Sequence, residues 1–265
     1  FGRNGRRHSV RVLSLFAGVG GMDLGLERAG MTVVAQCEID PFCRQVLKKH
    51  WPHVKQYDDV RTLTGEQIKR EVGPVDVCVG GYPCQPFSTA GERRGSEDDR
   101  HIWPEMRRLV EELGPAWVLG ENVAGHITLG LDQVLFDLES LGYATRAFVI
   151  PAVAVDARHR RDRVWIVANA NSSGKHDVAI NAEVAGASPA MAHPSSKQFN
   201  RDRPIKGWKQ SGLANGSRWP AEPGMARVAP GIPNRVDRVR ALGNSVVPAV
   251  VEQIGNAIME AQRDY

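Results

Sequence analysis

The chain has 265 residues, 42% of them hydrophobic and 24% charged, with a formal net charge of +4. This is the composition of a soluble globular protein large enough to bury a substantial core, as one large domain or a large domain carrying a smaller one. No run of 18 apolar residues is present, which argues against a membrane-spanning helix, and the mild positive charge permits a polyanionic partner without requiring one.

The basic opening stretch FGRNGRRHS is followed by no apolar segment of signal-peptide type, so a cytoplasmic protein is expected, and a start at Phe1 is expected of a trimmed chain. VRVLSLF (10–16) reads as a strand that ends in a glycine cluster. Gly21 to Ala29 has helical spacing and is stopped by Gly30. MTVVAQCE (31–38) is the next strand, and PFCRQVLKKH (41–50) a helix with proline at its start and bases at its end. VDVCVGG (75–81) and AWVLGENV (116–123) are nearly continuous apolar runs, as expected of strands covered on both faces. Between them PEMRRLVEEL (104–113) is a helix, and LDQVLFDLESLG (131–142) is another. YATRAFVI (143–150) and RVWIVANA (163–170) are the last strands of the series. This rhythm predicts a doubly wound α/β sheet.

Residues 171–235 change character. They are rich in Gly, Pro, Ala, Asn and Ser, with scattered bases and with Trp208 and Trp219, which suit either a small core or contacts to a partner. The segment reads as a linker or as a loop-rich recognition domain. VVPAVVEQIGNAIMEAQ (246–262) then returns as a helix.

Four groups of residues carry candidate chemistry. Phe16-Ala17-Gly18-Val19-Gly20-Gly21 lies where a strand turns into a helix, and Glu38 ends the following strand. A glycine-rich turn alone is compatible with a plain tight turn. With an acid in register to accept bonds from both ribose hydroxyls, it predicts a nucleoside cofactor, with Ile39 packing on adenine and Asp59 near its amino group. Cys84, in GGYPCQPFS, follows a buried strand and so stands at the carboxyl edge of the sheet, although a cysteine there also suits a small buried hydrophobe. Glu121 ends another strand and is positioned to face Cys84. In His159-Arg160-Arg161-Asp162-Arg163, strand alternation would point His159, Arg161 and Arg163 one way, toward a phosphate or base, unless the segment is a solvated turn. The four cysteines Cys37, Cys43, Cys78 and Cys84 form no CxxC pair, so neither a metal site nor a disulfide framework is expected.

Taken together, FAGVGG, CEID, GGYPCQPFS, ENV, RHRRDR and ALGNSVVP resemble, in order and identity, the motifs of the C5-cytosine DNA methyltransferases of bacteria and phages. The likeness covers about 1–169 and 239–262. It implies an S-adenosylmethionine-dependent methyltransferase sheet built from 1–170 and 239–265, with a target recognition domain at 171–238. It implies that Phe16, Ala17, Gly18, Gly20, Gly21, Glu38, Ile39, Asp59, Pro83, Asn244 and Ser245 hold S-adenosylmethionine. Cys84 then matches the nucleophile, Glu121 the residue that meets the cytosine edge, and Arg161 and Arg163 the arginines that hold the base and the catalytic loop. AGERRGSEDDRHIW (90–103) is similar to the family's mobile loop; Ser88, Arg94 and Arg100 are candidate DNA contacts on a loop over 88–103, and Gln85 and His159 are further candidates outside it. His159 stands where the family usually has glutamine. The implied partners are double-stranded DNA and a cognate restriction endonuclease, for an enzyme acting as a monomer. A tRNA cytosine methyltransferase of the same architecture and a catalytically silent DNA-binding module are the alternatives, and substrate competition and cofactor binding without turnover would separate them.

Overall fold

The computed structural model describes residues 9–83, 102–170 and 233–263. Seven strands form one sheet: β1 Arg11–Leu15, β2 Thr32–Cys37, β3 Lys55–Tyr57, β4 Val77–Gly80, β5 Trp117–Val123, β6 Ala144–Pro151 and β7 Asp162–Asn169. They lie in the order β3-β2-β1-β4-β5-β7-β6. The strands β3, β2, β1, β4 and β5 are parallel, and β7 runs antiparallel to both β5 and β6. The expected doubly wound α/β sheet is therefore present, and it is mixed rather than all parallel.

Helices α1 Gly21–Arg28, α2 Pro41–His50, α3 Gly65–Val72, α4 Trp103–Leu113, α5 His126–Leu129 and α6 Leu131–Ser140 connect the strands. A 3₁₀ turn, Ala152–Val155, leads out of β6, and α7 Arg235–Asn244 and α8 Pro248–Ala261 complete the described chain. Sequence periodicity anticipates α1, α2, α4, α6 and α8, but not α3, the short α5, the 3₁₀ turn or α7. The start of α3 is nevertheless legible, because Thr64 caps it by accepting the Gln67 N–H at 3.2 Å. Helix α7 crosses position 238, where the resemblance implies a domain boundary.

Side chains alternate across the sheet and create two apolar layers. Val12, Val33, Val79, Leu119 and Val167 face α1 and α8, meeting Met22, Leu26, Val250, Val251 and Ile254. Leu13, Leu15, Cys78, Val118 and Ile166 face the other way, onto Ile68, Met106, Leu109, Val134 and Leu138. The α1–α8 contact is close because Gly25 has no side chain: a Cβ there would lie 2.5 Å from Val251 Cβ and 2.6 Å from the Pro248 carbonyl oxygen.

A buried polar cluster interrupts the first layer. Asp23, in the first turn of α1, is fully buried. Its carboxylate accepts from Ser14 Oγ of β1 at 3.0 Å and from Gln36 Nε2 of β2 at 2.7 Å. Burial pushes its pKa up to about 6 against the pull of these hydrogen bonds, and Glu27 adds to the rise.

Two substitutions probe this packing. Gly25→Val drives a side chain into Val251 and the Pro248 carbonyl and is expected to destabilise the fold by about 1–3 kcal/mol in urea unfolding. Because the folded protein holds a proton on Asp23 that the unfolded chain releases, this group's contribution to stability is full below about pH 4 and is lost as pH rises through about 6. Asp23→Asn keeps an acceptor for Gln36 and a partner for Ser14. Its stability relative to the parent should therefore rise over that window, by up to about 3 kcal/mol. A parallel pair of pH–stability curves would rule this out.

Candidate active site

The strand order turns at β1, whose hydrogen-bonded neighbours are β2 and β4, so the carboxyl ends of these strands border one crevice. Beyond β1 the chain turns through Phe16, Ala17, Gly18, Val19 and Gly20. Gly18 has φ 56° and Gly20 has φ 84°, left-handed backbone that glycine adopts without strain, and Phe16 is held at φ 53° although it is not a glycine. A Cβ on Gly18 would meet nothing within 4 Å, so open space lies over the turn, whereas one on Gly20 would strike the Trp51 ring at 2.4 Å. The turn is thus open on one side and packed on the other.

Glu38, just past β2, ties this turn to the next helix. Its Oε2 accepts the Gly18 N–H at 2.7 Å and its Oε1 accepts the Asp40 N–H at 2.7 Å. Each carboxylate oxygen has a further lone pair for a ligand hydroxyl. Ile39, beside it, is 60% exposed, an apolar side chain free to cover a flat ring. Asp40 caps α2 by accepting the Phe42 and Cys43 N–H groups, and its other oxygen meets Arg240 of α7 at 2.6 Å. Asp59 follows β3, but Arg61 folds back on it through Nε and Nη2, at 3.0 and 2.9 Å. These bonds hold its carboxyl below the usual range.

The segment 243–245 comes back to the same turn. Ser245 Oγ lies 2.8 Å from where a Cβ on Gly21 would be, so the two residues are in contact; Asn244 is exposed at the end of α7. Arg161 Nη2 donates to the Gly243 carbonyl at 2.6 Å and to the Ser245 carbonyl, fastening this segment to the β6–β7 connection.

On the other side of the crevice, Glu121 near the end of β5 is buried, and Arg163 Nε of β7 pairs with its Oε1 at 2.8 Å. Burial pushes the Glu121 carboxyl up to about 7, outweighing the attraction of Arg163 and Arg161. Its Oε2 lies 2.9 Å from where a Cβ on Gly81 would be, so it abuts the chain just beyond β4. Asn122, to whose side chain the sequence assigns no role, donates from Nδ2 to the Tyr82 carbonyl at 3.0 Å. The signal for it is the Glu-Asn pair at a strand end, where two successive side chains point to opposite sides of the strand.

The shared face expected for His159, Arg161 and Arg163 is corrected. Strand β7 begins at Asp162, His159 lies in an exposed turn, and Arg161 has φ 40°, which breaks strand alternation. Only Arg163 points from the strand to Glu121; Arg161 reaches the 243–245 segment instead. Pro83 is exposed at the end of the described segment, and Cys84, Gln85, Ser88, Arg94 and Arg100 lie outside the described residues, as do Trp208 and Trp219. Among the described residues no His, Cys, Asp and Glu side chains cluster as a metal site would require. No described helix is long and apolar enough to cross a membrane.

Comparison with known proteins gives this geometry a family. Residues 10–207 match the family model for C-5 cytosine-specific DNA methylase. A Type II methyltransferase of Bacillus subtilis, M2.BsuMI, is 33% identical over 169 residues, covering 60% of this chain and 42% of that protein. M.NgoMIV of Neisseria gonorrhoeae, also a Type II methyltransferase, is 35% identical over 164 residues, covering 60% of this chain and 51% of that one. The chain therefore spans about half the length, or less, of these relatives. The crystal structure of the S. pombe Dnmt2 methyltransferase shares the fold across 96% of this chain and 99% of its own, with a TM-score of 0.67 at 17% identity. The mixed seven-stranded sheet, the glycine turn and the family match over most of the described residues agree, and the chain belongs to the C-5 cytosine-specific DNA methylases.

Proposed function

We propose that this protein transfers a methyl group from S-adenosylmethionine to carbon 5 of a cytosine flipped out of duplex DNA, with Cys84 as the covalent nucleophile. The observation that carries this reading is the Glu121–Arg163 pair. It is a buried carboxyl whose pKa sits near neutrality, held against the chain three residues before Cys84 in the sequence.

The open glycine turn, the paired N–H bonds to Glu38 and the exposed Ile39 fit an adenosine moiety, with Glu38 accepting from the ribose hydroxyls and Ile39 covering the adenine. Pro83 and the Asn244–Ser245 segment border the same crevice and would close it from either side. Asp59 would take the adenine amino group in exchange for one of the bonds that Arg61 makes to its carboxylate. The cofactor supplies an electrophilic methyl group when bound.

Cytosine C5 is a weak nucleophile. Addition of the Cys84 thiolate to C6 forms a C–S bond and pushes the ring electrons toward C5 and N3, so that C5 can accept a methyl group. Glu121 meets the N3 edge and shares its proton there as negative charge develops, while Arg163 keeps the carboxyl oriented. Loss of the C5 proton to a base, with water sufficient for that role, then expels the thiolate and restores the aromatic ring. Arg161 supports the base pocket by holding the 243–245 segment in place.

A base inside a duplex cannot present C6 to a thiol, so the target nucleotide leaves the stack. Gln85, Ser88, Arg94, Arg100 and His159 are the DNA contacts, and 171–238 is the target recognition domain. The Type II names of the relatives support a cognate restriction endonuclease as partner. We place the enzyme in the cytoplasm and have it act as a monomer.

The test is incubation with labelled S-adenosylmethionine and mixed-sequence duplex DNA, followed by bisulfite mapping, beside Cys84→Ser. The parent should mark cytosines in one short motif and the variant none. Transfer to tRNA alone, or an active Cys84→Ser, would overturn the reading. Glu121→Gln, which cannot give up its proton, should lower kcat by about 100-fold or more. In the parent the rate should fall as pH rises through about 7, where Glu121 loses its proton, and the variant should lack that limb.

A further inference from the structure

Tyr82 lies beyond β4, between Gly81 and Pro83 and two residues before Cys84, yet it is only 3% exposed. Its hydroxyl is 2.9 Å from Nε2 of His126, the first residue of α5, which is 5% exposed. Its carbonyl accepts Asn122 Nδ2 at 3.0 Å. Its ring packs against Trp103 with centroids 4.9 Å apart and edge-on to His126 at 5.4 Å. Trp103 is fixed in turn by its indole N–H donating to Asp137 Oδ2 at 2.7 Å. Burial lowers the pKa of His126, so the ring is neutral and offers one N–H and one acceptor.

We propose that His126 and Tyr82 form a buried clamp that aims the chain entering Cys84, which makes His126 a positioning residue for methyl transfer. The inference rests on the reading of Cys84 as the nucleophile. Only two peptide units separate Tyr82 from Cys84 in the sequence, and one peptide unit spans no more than about 3.8 Å between Cα atoms. Between them Pro83 fixes its own φ, so few free torsions remain to absorb an error at Tyr82. Both ends of the Tyr82 residue, hydroxyl and carbonyl, are tied to the segment 122–126, which also follows Glu121. The clamp therefore fixes the start of the nucleophile's segment relative to the carboxyl that meets the base. A displacement of about 1 Å in such a geometry can cost on the order of 100-fold in rate.

The clamp is tested with Tyr82→Phe, His126→Ala, His126→Gln and the double variant Tyr82→Phe/His126→Ala. Four quantities are measured: single-turnover methylation of duplex DNA, affinity for S-adenosylhomocysteine, unfolding free energy, and alkylation of Cys84 by iodoacetamide mapped by mass spectrometry. Cys37, Cys43 and Cys78 are buried and so shielded from the reagent. Tyr82→Phe and His126→Ala should each slow transfer about tenfold or more and change the Cys84 alkylation rate. Affinity for S-adenosylhomocysteine should stay within about twofold. The double variant should be no slower than the slower single one, because both remove the same bond. His126→Gln, whose amide can reach the place of Nε2, should recover most of the rate.

Parental rates in folded variants, losses that multiply in the double variant, or a glutamine no better than alanine would each overturn the proposal. If His126→Ala does not fold, Tyr82→Phe, which removes a single oxygen, still decides it. Should Cys84→Ser remain active, the nucleophile reading fails on its own account, and the alkylation rate still reports whether the clamp governs this segment.

Discussion

The two neighbours of β1 constrain everything around it. Parallel pairing of β1 with β2 on one side and β4 on the other brings the ends of all three strands to one edge, where the backbone must leave the sheet. The turn after β1, the acid after β2 and the Gly81-Tyr82-Pro83 segment after β4 therefore meet in one crevice although they are far apart in sequence. Placing the antiparallel β7 beside β5 adds the second requirement. It puts Val123 of β5 opposite Arg163 of β7, and Arg163 reaches diagonally to Glu121 on the same face.

Two buried carboxyls in this framework are treated differently. Asp23 has neutral donors, Ser14 and Gln36, so its charge is opposed by burial and balanced only by dipoles. Glu121 has a guanidinium at 2.8 Å, yet burial still lifts it further, to about 7. The first ties α1 to β1 and β2 directly beneath the glycine turn and has no exchange to make with a ligand. The second stands at the crevice with its proton balanced near neutrality, which is the condition under which a carboxyl can both give and retake a proton. Position relative to the strand ends separates an acid enclosed in the core from one that borders the crevice.

The strands other than the short, polar β3, and the acids at their ends, are legible in sequence because each depends on local signals: continuous apolar runs for β1, β4 and β5, and glycine or polar residues where each stops. Helix α3 is hidden because its eight residues carry only two apolar side chains, Ile68 and Val72, at helical spacing, too few to mark a helix by sequence alone. Helix α7 is hidden for a related reason: Val236, Val239 and Leu242 are exposed and only Ala241 is buried, so its apolar spacing does not mark a core face. Alternation misplaces Arg161 because it assumes an extended backbone, and one residue with positive φ redirects the side chain toward a segment more than 80 residues away. The Tyr82–His126 contact joins positions 44 residues apart and has no local signature at all.

The return of 243–245 to the glycine turn has three supports of unequal weight. Arg240–Asp40 is an ion pair with the arginine 58% exposed, and such pairs contribute no more than about 1 kcal/mol. Arg161 bonds two carbonyls from a half-buried position, which fixes direction more than it adds stability. The α1–α8 packing contributes most: Val250, Val251, Ile254 and Ile258 are all buried, each worth about 1.5–3 kcal/mol on that account. Helix α8 therefore holds the segment against the sheet, and Arg161 sets the angle at which Ser245 meets Gly21. Loss of Arg161 would consequently disturb the crevice while leaving the fold intact, whereas loss of α8 packing would disturb both.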